Sequence, residues 1–530
     1  MKRILILFLV TSFTGFISCE LKEELFDTIG PETFYKTERD AQAAINGAYA
    51  FIAPMYKRDG IAAILYSADD ITYNSKSGNE AIIAEKRGDP STLYFKTIWD
   101  NSYAVINNAN LALKYVPNID MDPNTKNRIL GEAYFLRGYM YFNLVRFFGG
   151  VPIKTKSTED TDNLHQPRSS VEDIYKQIFD DLKKASDMMP EFSEQPESEF
   201  GRATKGAAKS ILALAYLTHE DWAQAKQYAD EVINSGEYSL VTDFGRLWDV
   251  KQERQNYQEI IFAVQYVRDN LVSFLPSVGS DIVYRCIPNT AEGYTGHPAH
   301  GSGTGVLQVH PWFYDFCTTG QYSGDYRAEK SFLTVWKAWD EADPDGYKRS
   351  YPDTLGAQTE PFPYIAKYID PDGLDHRNHE NDLIIIRFAE ILLIKAEAEN
   401  ELNNGPTPEA YAAFNQVRSR ARNAGDSIRV TPPDLALGLS KEEFRQAIFN
   451  ERGVEFLGEG HRYFDLLRMK HSSGKTMYEY MLNEYLPTLP DDKKRSEHLI
   501  YNSRNHLLPI PLEEIQTNSA IGNENQNPGY

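Results

Sequence analysis

Acidic side chains are the first candidates for chemistry in this sequence. Asp69 and Asp70 are adjacent, whereas Glu451, Glu455 and Glu459 recur every four residues. Glycoside hydrolysis needs two carboxyl groups about 5–10 Å apart, so both sets are candidates for a hydrolase site. The glutamates share their stretch with several arginines, and this spacing favours ion pairing on a helix. The adjacent aspartates are typical of residues that orient loop backbone or contact a ligand.

Metal and phosphate motifs are absent or incomplete. No H-E-x-x-H sequence occurs, and His297 and His300 lie in a Gly/Pro-rich stretch without a nearby acidic residue. Residues 473–476 (SGKT) resemble the end of a phosphate-binding loop, but Met469 stands where its first glycine belongs. The alternating glycines of 301–305 lack the spacing of a dinucleotide fingerprint. The sequence therefore predicts no cofactor, no metal site and no catalytic residue.

Aromatic residues favour binding over catalysis. The chain has 33 tyrosines and 6 tryptophans. Sugars present apolar C–H faces that stack on such rings, and their hydroxyl groups pair with Asn, Asp and Arg side chains. We therefore predict a glycan platform built where helical segments give way to irregular ones. Its candidate residues are Tyr66, Asp70, Tyr73, Tyr284, Tyr294 and Trp312.

The N-terminus has the layout of a bacterial lipoprotein signal. Lys2 and Arg3 precede an apolar run over 4–17, and Ser18 and Cys19 end it. The run is shorter than the roughly 20 residues that a membrane-spanning helix needs. A cysteine at the cleavage point is typical of lipidated chains. Residues 1–18 are therefore predicted to be a signal peptide, with Cys19 as the lipidation site.

Composition narrows the set of partners. The formal net charge is −21 and the pI is about 5.1, with no Lys/Arg-rich run, so the chain would repel phosphate backbones. Nucleic acid is therefore not an expected partner. Beyond Cys19 the chain contains Cys286 and Cys317, and the sequence leaves open whether they form a disulfide or remain buried free thiols.

Apolar periodicity predicts helices in antiparallel pairs. Small residues on the facing sides allow close approach of the helix axes, as in tetratricopeptide repeats. The breaker over 405–408 separates one pair. The predicted pairs are 39–56 with 97–116, 127–147 with 170–189, 208–216 with 222–233, and 389–396 with 410–421. Their irregular spacing indicates a mostly α fold of about four tetratricopeptide-like units, interrupted by long insertions.

The helical pattern divides the chain. We predict a tether over 19–38, an N-terminal scaffold over 39–235, a variable loop-rich ligand-binding lobe over 236–385, and a C-terminal scaffold over 386–530. Within the lobe, helical spacing persists only near 311–316 and 332–339. Long irregular insertions in an ordered scaffold are usually functional, so the lobe is where a ligand site is expected.

Separated sequence blocks resemble the SusD/RagB outer-membrane lipoproteins. They occur in the family's order over nearly the whole mature chain. The clearest blocks are 131–153, 168–170, 201–217, 387–399, 450–468, 508–511 and 526–530. The segment Lys22–Glu23–Glu24 resembles the export signal of surface lipoproteins in Bacteroidota, which favours an outward-facing anchor.

This resemblance implies a non-enzymatic lid. Family members capture oligosaccharides, or peptides in some branches, and pass them to SusC-like TonB-dependent transporters in the outer membrane. It also implies that the matching blocks build the scaffold rather than the ligand site. Glycan capture at the cell surface is the leading hypothesis. A peptide-capturing lid, a surface glycoside hydrolase acting through Asp69 or Asp70, and a purely structural assembly protein are the alternatives.

Overall fold

A computed structural model describes residues 30–57, 68–73, 78–158, 164–268, 279–288, 303–340, 343–351, 362–373 and 378–530. The predicted signal peptide, Cys19 and most of the tether lie outside these residues. The described chain is mostly helical, which confirms the predicted fold class. None of its helices combines the length and the apolar character that crossing a bilayer requires.

The helices occupy both ends of the chain and contribute short segments to its middle. The N-terminal ones are α1 (Pro31–Phe34), α2 (Glu38–Ala50), α3 (Ile52–Met55), α4 (Asn79–Ala84), α5 (Leu93–Tyr115), α6 (Pro123–Phe148), α7 (Val171–Met188), α8 (Lys205–Thr218) and α9 (Trp222–Ser235). The middle segment has α10 (Ile282–Cys286), α11 (Pro311–Thr318) and α12 (Tyr326–Ser331). The C-terminal ones are α13 (Phe388–Leu402), α14 (Pro408–Ala421), α15 (Lys441–Glu455), α16 (Arg462–Arg468), α17 (Met477–Tyr480) and α18 (Leu512–Thr517).

Local sequence explains where several helices begin. Ser170 caps α7 by accepting a hydrogen bond from the Asp173 amide, and Thr407 caps α14 just before a proline at its first position. Ser440 and Glu443 form a reciprocal capping box at the start of α15. These side chains satisfy amide groups that the first helical turn leaves without partners.

All four predicted helix pairs form. Helix α2 packs on α5, α6 on α7, α8 on α9, and α13 on α14. Gly138 on α6 allows a close approach, because a Cβ there would lie 3.0 Å from Leu182 and 3.2 Å from Asp181 on α7. Helix α9 also packs on α13, so the scaffold is continuous across the long insertion. The domain boundaries themselves stay a prediction.

Short strands build the inserted segment. They are β1 (Ile71–Tyr73), β2 (Ile260–Val264), β3 (Leu307–Val309), β4 (Phe332–Leu333), β5 (Val335–Asp340), β6 (Asp343–Ser350), β7 (Tyr364–Ile365) and β8 (Leu383–Arg387). One sheet has the order β1-β3-β7-β4, while β2 pairs with β8 and β5 with β6, all antiparallel. The scaffold helices α6 and α8 cover the β2–β8 pair: Phe135 on α6 meets Phe262 on β2 edge-on at 5.0 Å.

The helical expectation for residues 332–339 is wrong. These residues form β4 and the start of β5, whereas the expected helix near 311–316 is confirmed as α11. Phe332 pairs with Ile365 of β7 and Trp336 with Arg349 of β6. The apolar residues of such a short stretch fit a helical period and a strand period alike. Pairing with β7 and, in a hairpin, with β6 decides in favour of strand.

Candidate functional site

The four-stranded sheet brings together segments that are neighbours, in the sequence, of several predicted platform residues. Strand β1 places Tyr73 opposite Leu307 of β3 and Ile71 opposite Val309. Strand β7 continues the sheet, and the Gln308 amide donates to the Tyr364 hydroxyl at 2.9 Å. We call this the loop-bearing sheet, comprising β1, β3, β7 and β4. Its strands bring residues 68–73, 303–309 and 362–365 to one place in the molecule.

Three of the six predicted ligand residues are buried. Asp70, Tyr73 and Trp312 are only 2%, 1% and 6% exposed. A ring with both faces enclosed by protein offers no surface to a sugar, so the structure corrects the expectation that these side chains form the platform itself. Tyr73 instead lies within β1 of the loop-bearing sheet, Asp70 just before that strand, and Trp312 on α11.

Tyr284 is the predicted ligand residue that the structure places partly at the surface. It lies on α10, with an intermediate exposure. Its carbonyl accepts hydrogen bonds from the amide (2.6 Å) and the hydroxyl (3.0 Å) of Thr304, just before β3. These bonds tie α10 to the loop-bearing sheet. Tyr66 and Tyr294 lie outside the described residues.

Buried polar contacts fix the sheet to the C-terminal scaffold. Asp69 accepts two hydrogen bonds from Arg462 of α16, at 2.7 Å from Nε and 2.9 Å from Nη2. The Trp312 indole donates to the Asp69 carbonyl at 2.9 Å, and the His310 amide donates to the Asp70 carbonyl at 2.9 Å. The Asp69 carboxylate therefore joins this segment to α16, and the two main-chain carbonyls hold it against the start of α11.

Burial perturbs the ionisable groups under the sheet. It raises the pKa of Asp70 to about 7, and the Asp69 carboxylate acts in the same direction while Arg462 opposes it. The Asp70 Oδ1 atom has no hydrogen-bond partner among the described residues. Burial, reinforced by nearby cations such as Arg495, lowers the pKa of His498 to about 3. Below about pH 7 the folded chain therefore favours the neutral form of Asp70.

The glutamate series of α15 and the turn after it is an ion-pair network. Glu451, Glu455 and Glu459 are all buried, and each is bound by cationic side chains. Arg387 at the end of β8 contacts Glu455 at 2.6 Å and Glu459 at 2.8 Å. Ion pairing is confirmed, but pairing along the helix is wrong: the cations come from other elements, whereas Arg452, Arg462 and Arg468 of the same stretch bind other carboxylates. Carboxylates occupied in this way are not positioned to act on a sugar.

The whole network pairs five cations with five carboxylates across several elements. Burial alone would raise the pKa of Glu455, but Arg420, Arg387 and Arg327 outweigh it and hold that pKa well below its usual range. Its members are Arg327, Lys367, Arg387, Arg418 and Arg420 with Glu259, Asp325, Glu451, Glu455 and Glu459.

The two remaining cysteines are buried free thiols. This resolves the question that the sequence left open for Cys286 and Cys317. Burial raises the pKa of both thiols, so neither is a reactive nucleophile. Within the part of the chain that the structure describes, no cluster of His, Cys, Asp and Glu side chains has the size of a metal site.

Described residues line two surface clefts of ligand-sized volume. The larger, of about 390 Å³, lies between α2, residues 198–202 and β2. The second, of about 340 Å³, lies between α11, α12 and β4. The sequence did not single out either cleft as a site. Tyr314 on α11 is an aromatic residue close in sequence to the platform candidate Trp312, so the sequence offered one indication of the second cleft.

The architecture is that of a helical-repeat scaffold carrying an inserted lobe of strands and loops. Residues 258–530 match the family model described as the SusD family. Residues 30–217 match a second model, described as starch-binding associating with outer membrane. The chain therefore belongs to the SusD family, as its sequence blocks predicted.

Similar proteins cover the full length of the chain. SusD-like protein P2 of Formosa agariphila is 30% identical over 545 residues, spanning 100% of both chains. A SusD homolog from Bacteroides thetaiotaomicron has a TM-score of 0.79 at 23% identity, covering 94% of this chain and 98% of that one. A laminarin-binding SusD-like protein has a TM-score of 0.72 at 25% identity, with 94% and 100% covered.

Replacing Arg387 with methionine tests the ion-pair network. The change leaves Glu259, Glu455 and Glu459 short of a buried cation, so we expect a loss of about 3–5 kcal/mol in the free energy of unfolding, measured with urea. Arg87→Met is the control, because the Arg87 side chain is 59% exposed and its pair with Glu85 lies at the surface. The control should lose about 1 kcal/mol or less. Equal losses in the two variants would contradict the role given to the network.

Replacing Asp70 with asparagine tests the polar cluster under the sheet. A raised pKa means that the unfolded chain releases this proton at lower pH than the folded chain, so wild-type stability should fall as pH rises from about 4 to about 7. Asp70→Asn removes that dependence. Between pH 5 and pH 8, we expect the variant to gain on the order of 1–3 kcal/mol relative to wild type in urea unfolding.

The exposed Asp120 provides the matched control for this experiment. Asp120→Asn should follow the wild-type curve at both pH values. A pH-independent difference between Asp70→Asn and wild type would show that Asp70 does not titrate in this range.

Proposed function

We propose that the chain is a cell-surface lipoprotein that captures glycans and delivers them to a SusC-like TonB-dependent transporter. Membership of the SusD family carries this proposal. It is supported by the likeness to a laminarin-binding SusD-like protein over 94% of the chain. A β-glucan is accordingly among the first ligands to test.

The architecture near the loop-bearing sheet suits capture rather than turnover. Its strands are fixed to the scaffold through Asp69 and Arg462, so segments that extend from the sheet have a rigid base. The candidate contact residues are Tyr284 on α10, together with Tyr66 and Tyr294. Asp70, Tyr73 and Trp312 support them from within the fold.

Hydrolysis is disfavoured by the state of the carboxylates. A glycosidase requires one carboxyl group to donate a proton while a second one acts as nucleophile or base next to the sugar. Asp69 is enclosed and engaged by Arg462, and the glutamates of α15 are enclosed by arginines. Neither set reaches the surface. We therefore propose a binding protein without catalytic activity.

Anchoring at Cys19 completes the proposal. Lipidation there would attach the chain to the outer membrane, in line with the description of the family model that matches residues 30–217. The basic and acidic residues of Lys22–Glu24 favour the outward-facing leaflet. The attached chain would then sit next to its transporter and act as a lid over it.

Affinity electrophoresis of the Cys19→Ala chain against immobilised polysaccharides tests glycan capture. Laminarin, starch, xylan and mannan form the panel, and we expect at least one to retard the protein. Tyr284→Ala should weaken that binding by roughly tenfold, because it removes a stacking ring. Tyr501→Ala is the control, since Tyr501 is also partly exposed but lies on the C-terminal scaffold. No retardation by any polymer, with binding of peptides instead, would replace the glycan by a peptide ligand.

Membrane fractionation and co-purification test the anchor and the partner. The wild-type chain should sediment with the outer membrane and co-purify with a TonB-dependent transporter. Cys19→Ala should leave the membrane fraction when the transporter is absent, because the acyl chains supply the attachment. A Cys19→Ala chain that stays membrane-bound without transporter would rule out the lipid anchor.

A further inference from the structure

The cleft between α11, α12 and β4 opens on a different side of the lobe from the polar cluster of Asp69 and Asp70. Trp312 and Tyr314 lie two positions apart on α11, so about 200° of helix rotation separates them. Trp312 faces inward and donates to the Asp69 carbonyl, whereas Tyr314 lines the cleft. We call this the Tyr314 cleft. Its lining residues are Tyr314, Thr318, Gly324, Asp325, Ala328, Glu329, Phe332 and Thr334.

Aromatic rings form one wall of the Tyr314 cleft. The Tyr314 ring meets Phe332 at 5.1 Å and Tyr351 at 5.3 Å, in both cases nearly perpendicular. These edge-to-face contacts hold Tyr314 in place while it remains partly exposed. The hydroxyl groups of Tyr314 and Tyr351 make no hydrogen bond to any other described residue. A fixed ring with an unused hydroxyl group is suited to stacking and hydrogen bonding with a ligand.

A charged pair adjoins the cleft through Glu329, one of its lining residues. Arg429 binds both carboxylate oxygens of Glu329, at 2.5 and 2.9 Å, and also donates to the Gly324 carbonyl at 3.2 Å. Both side chains remain accessible, at 29% for Arg429 and 56% for Glu329. A planar guanidinium–carboxylate pair presents donors and acceptors side by side. Neighbouring hydroxyl groups of a sugar ring have the matching arrangement.

In the larger cleft, the arginine and the tyrosine are already engaged in contacts within the protein. Its Arg202 is already bound to Glu132 at 3.0 Å and to Asn46 at 2.5 Å, and the Tyr49 hydroxyl accepts from the Ala203 amide at 3.1 Å. Arg202 and Tyr49 therefore stabilise the fold and are not free to bind a ligand. The Tyr314 cleft combines a partly exposed ring, unengaged hydroxyl groups and an accessible ion pair.

We propose that the Tyr314 cleft is a second carbohydrate-binding subsite, separate from the predicted platform around Tyr284, that takes one or two sugar units of a neutral glycan. Its volume of about 340 Å³ is near the lower end of the roughly 300–1,000 Å³ of ligand pockets, which limits it to a short stretch of chain. A neutral ligand fits because Arg429 is already neutralised by Glu329. This inference rests on the proposed function as a glycan-binding protein.

Two subsites on one protein would increase its affinity for polysaccharides more than its affinity for short oligosaccharides. A polysaccharide that engages both sites gains effective concentration at the second site, whereas a short oligosaccharide engages them independently. Tyr314→Ala should therefore weaken binding of the polysaccharide by on the order of tenfold. The same variant should leave oligosaccharide binding at the platform around Tyr284 unchanged.

Hydroxyl-radical footprinting of the Cys19→Ala chain tests the subsite directly. The probes are laminaritetraose, maltotetraose, xylotetraose and mannotetraose, each added alone and read by mass spectrometry. At least one should protect Tyr314 and Tyr351 from oxidation, and the protection should persist in Tyr284→Ala. Tyr314→Phe and Glu329→Gln should reduce protection of Tyr351 without altering the folded state, checked by circular dichroism. Tyr501 reports oxidation outside the cleft and should not change.

The possible results distinguish failure of the second subsite from failure of the proposed glycan-binding function. Glycan binding that Tyr284→Ala weakens, without protection of Tyr314 by any probe, overturns the second subsite and leaves the proposed function intact. Absence of glycan binding by any measurement overturns both. Protection of Tyr314 by the transporter but by no sugar would make the cleft a protein contact and also overturns the subsite.

Discussion

Glu455 meets three buried guanidinium groups, and the arrangement of the chain around the insertion depends on this contact. Arg327 comes from α12, Arg387 from the end of β8 and Arg420 from α14. Removing so many charges from water is costly, and the cost is offset only when each charge finds partners at short distance. The network therefore forms only when the inserted lobe, the β2–β8 pair and the C-terminal helices occupy their native positions together.

Buried ion pairs also connect the loop-bearing sheet to the scaffold and the scaffold helices to one another. Arg462 reaches from α16 to Asp69 beside β1, and Arg137 of α6 binds Asp181 of α7 through two hydrogen bonds of 2.8 and 2.7 Å. Apolar packing supplies most of the stability of such interfaces but is not directional. Paired charges add direction, because a displacement by one helical turn would leave a buried charge without its partner.

The contrast between buried ion pairs and partly exposed rings indicates where a ligand can bind. The buried ion pairs of the scaffold are enclosed, so their acidic and basic groups are unavailable to a ligand. Two partly exposed rings, Tyr284 on α10 and Tyr314 on α11, belong to short elements that contact the strands of the inserted lobe. Short connecting elements on a rigid scaffold are the places where binding residues are most often found.

The sequence by itself determined the helical pairs, because the apolar periodicity of each helix is a local property. It also determined the family, and it predicted the lipoprotein-type N-terminus and the engagement of the α15 glutamates in ion pairs. It did not indicate their partners, since the cations around Glu455 come from α12, β8 and α14. Tertiary structure alone decided which aromatic rings reach the surface: Tyr73 and Trp312 are enclosed by elements more than 200 residues away in sequence, while Tyr314 is not. It also decided that residues 332–333 and 335–340 are strands, since β4 pairs with β7 beyond the next hairpin and β5 pairs with β6 within that hairpin. The burial of Tyr73 and Trp312 and the pairing of β4 depend on residues outside the local sequence pattern, which therefore does not encode them.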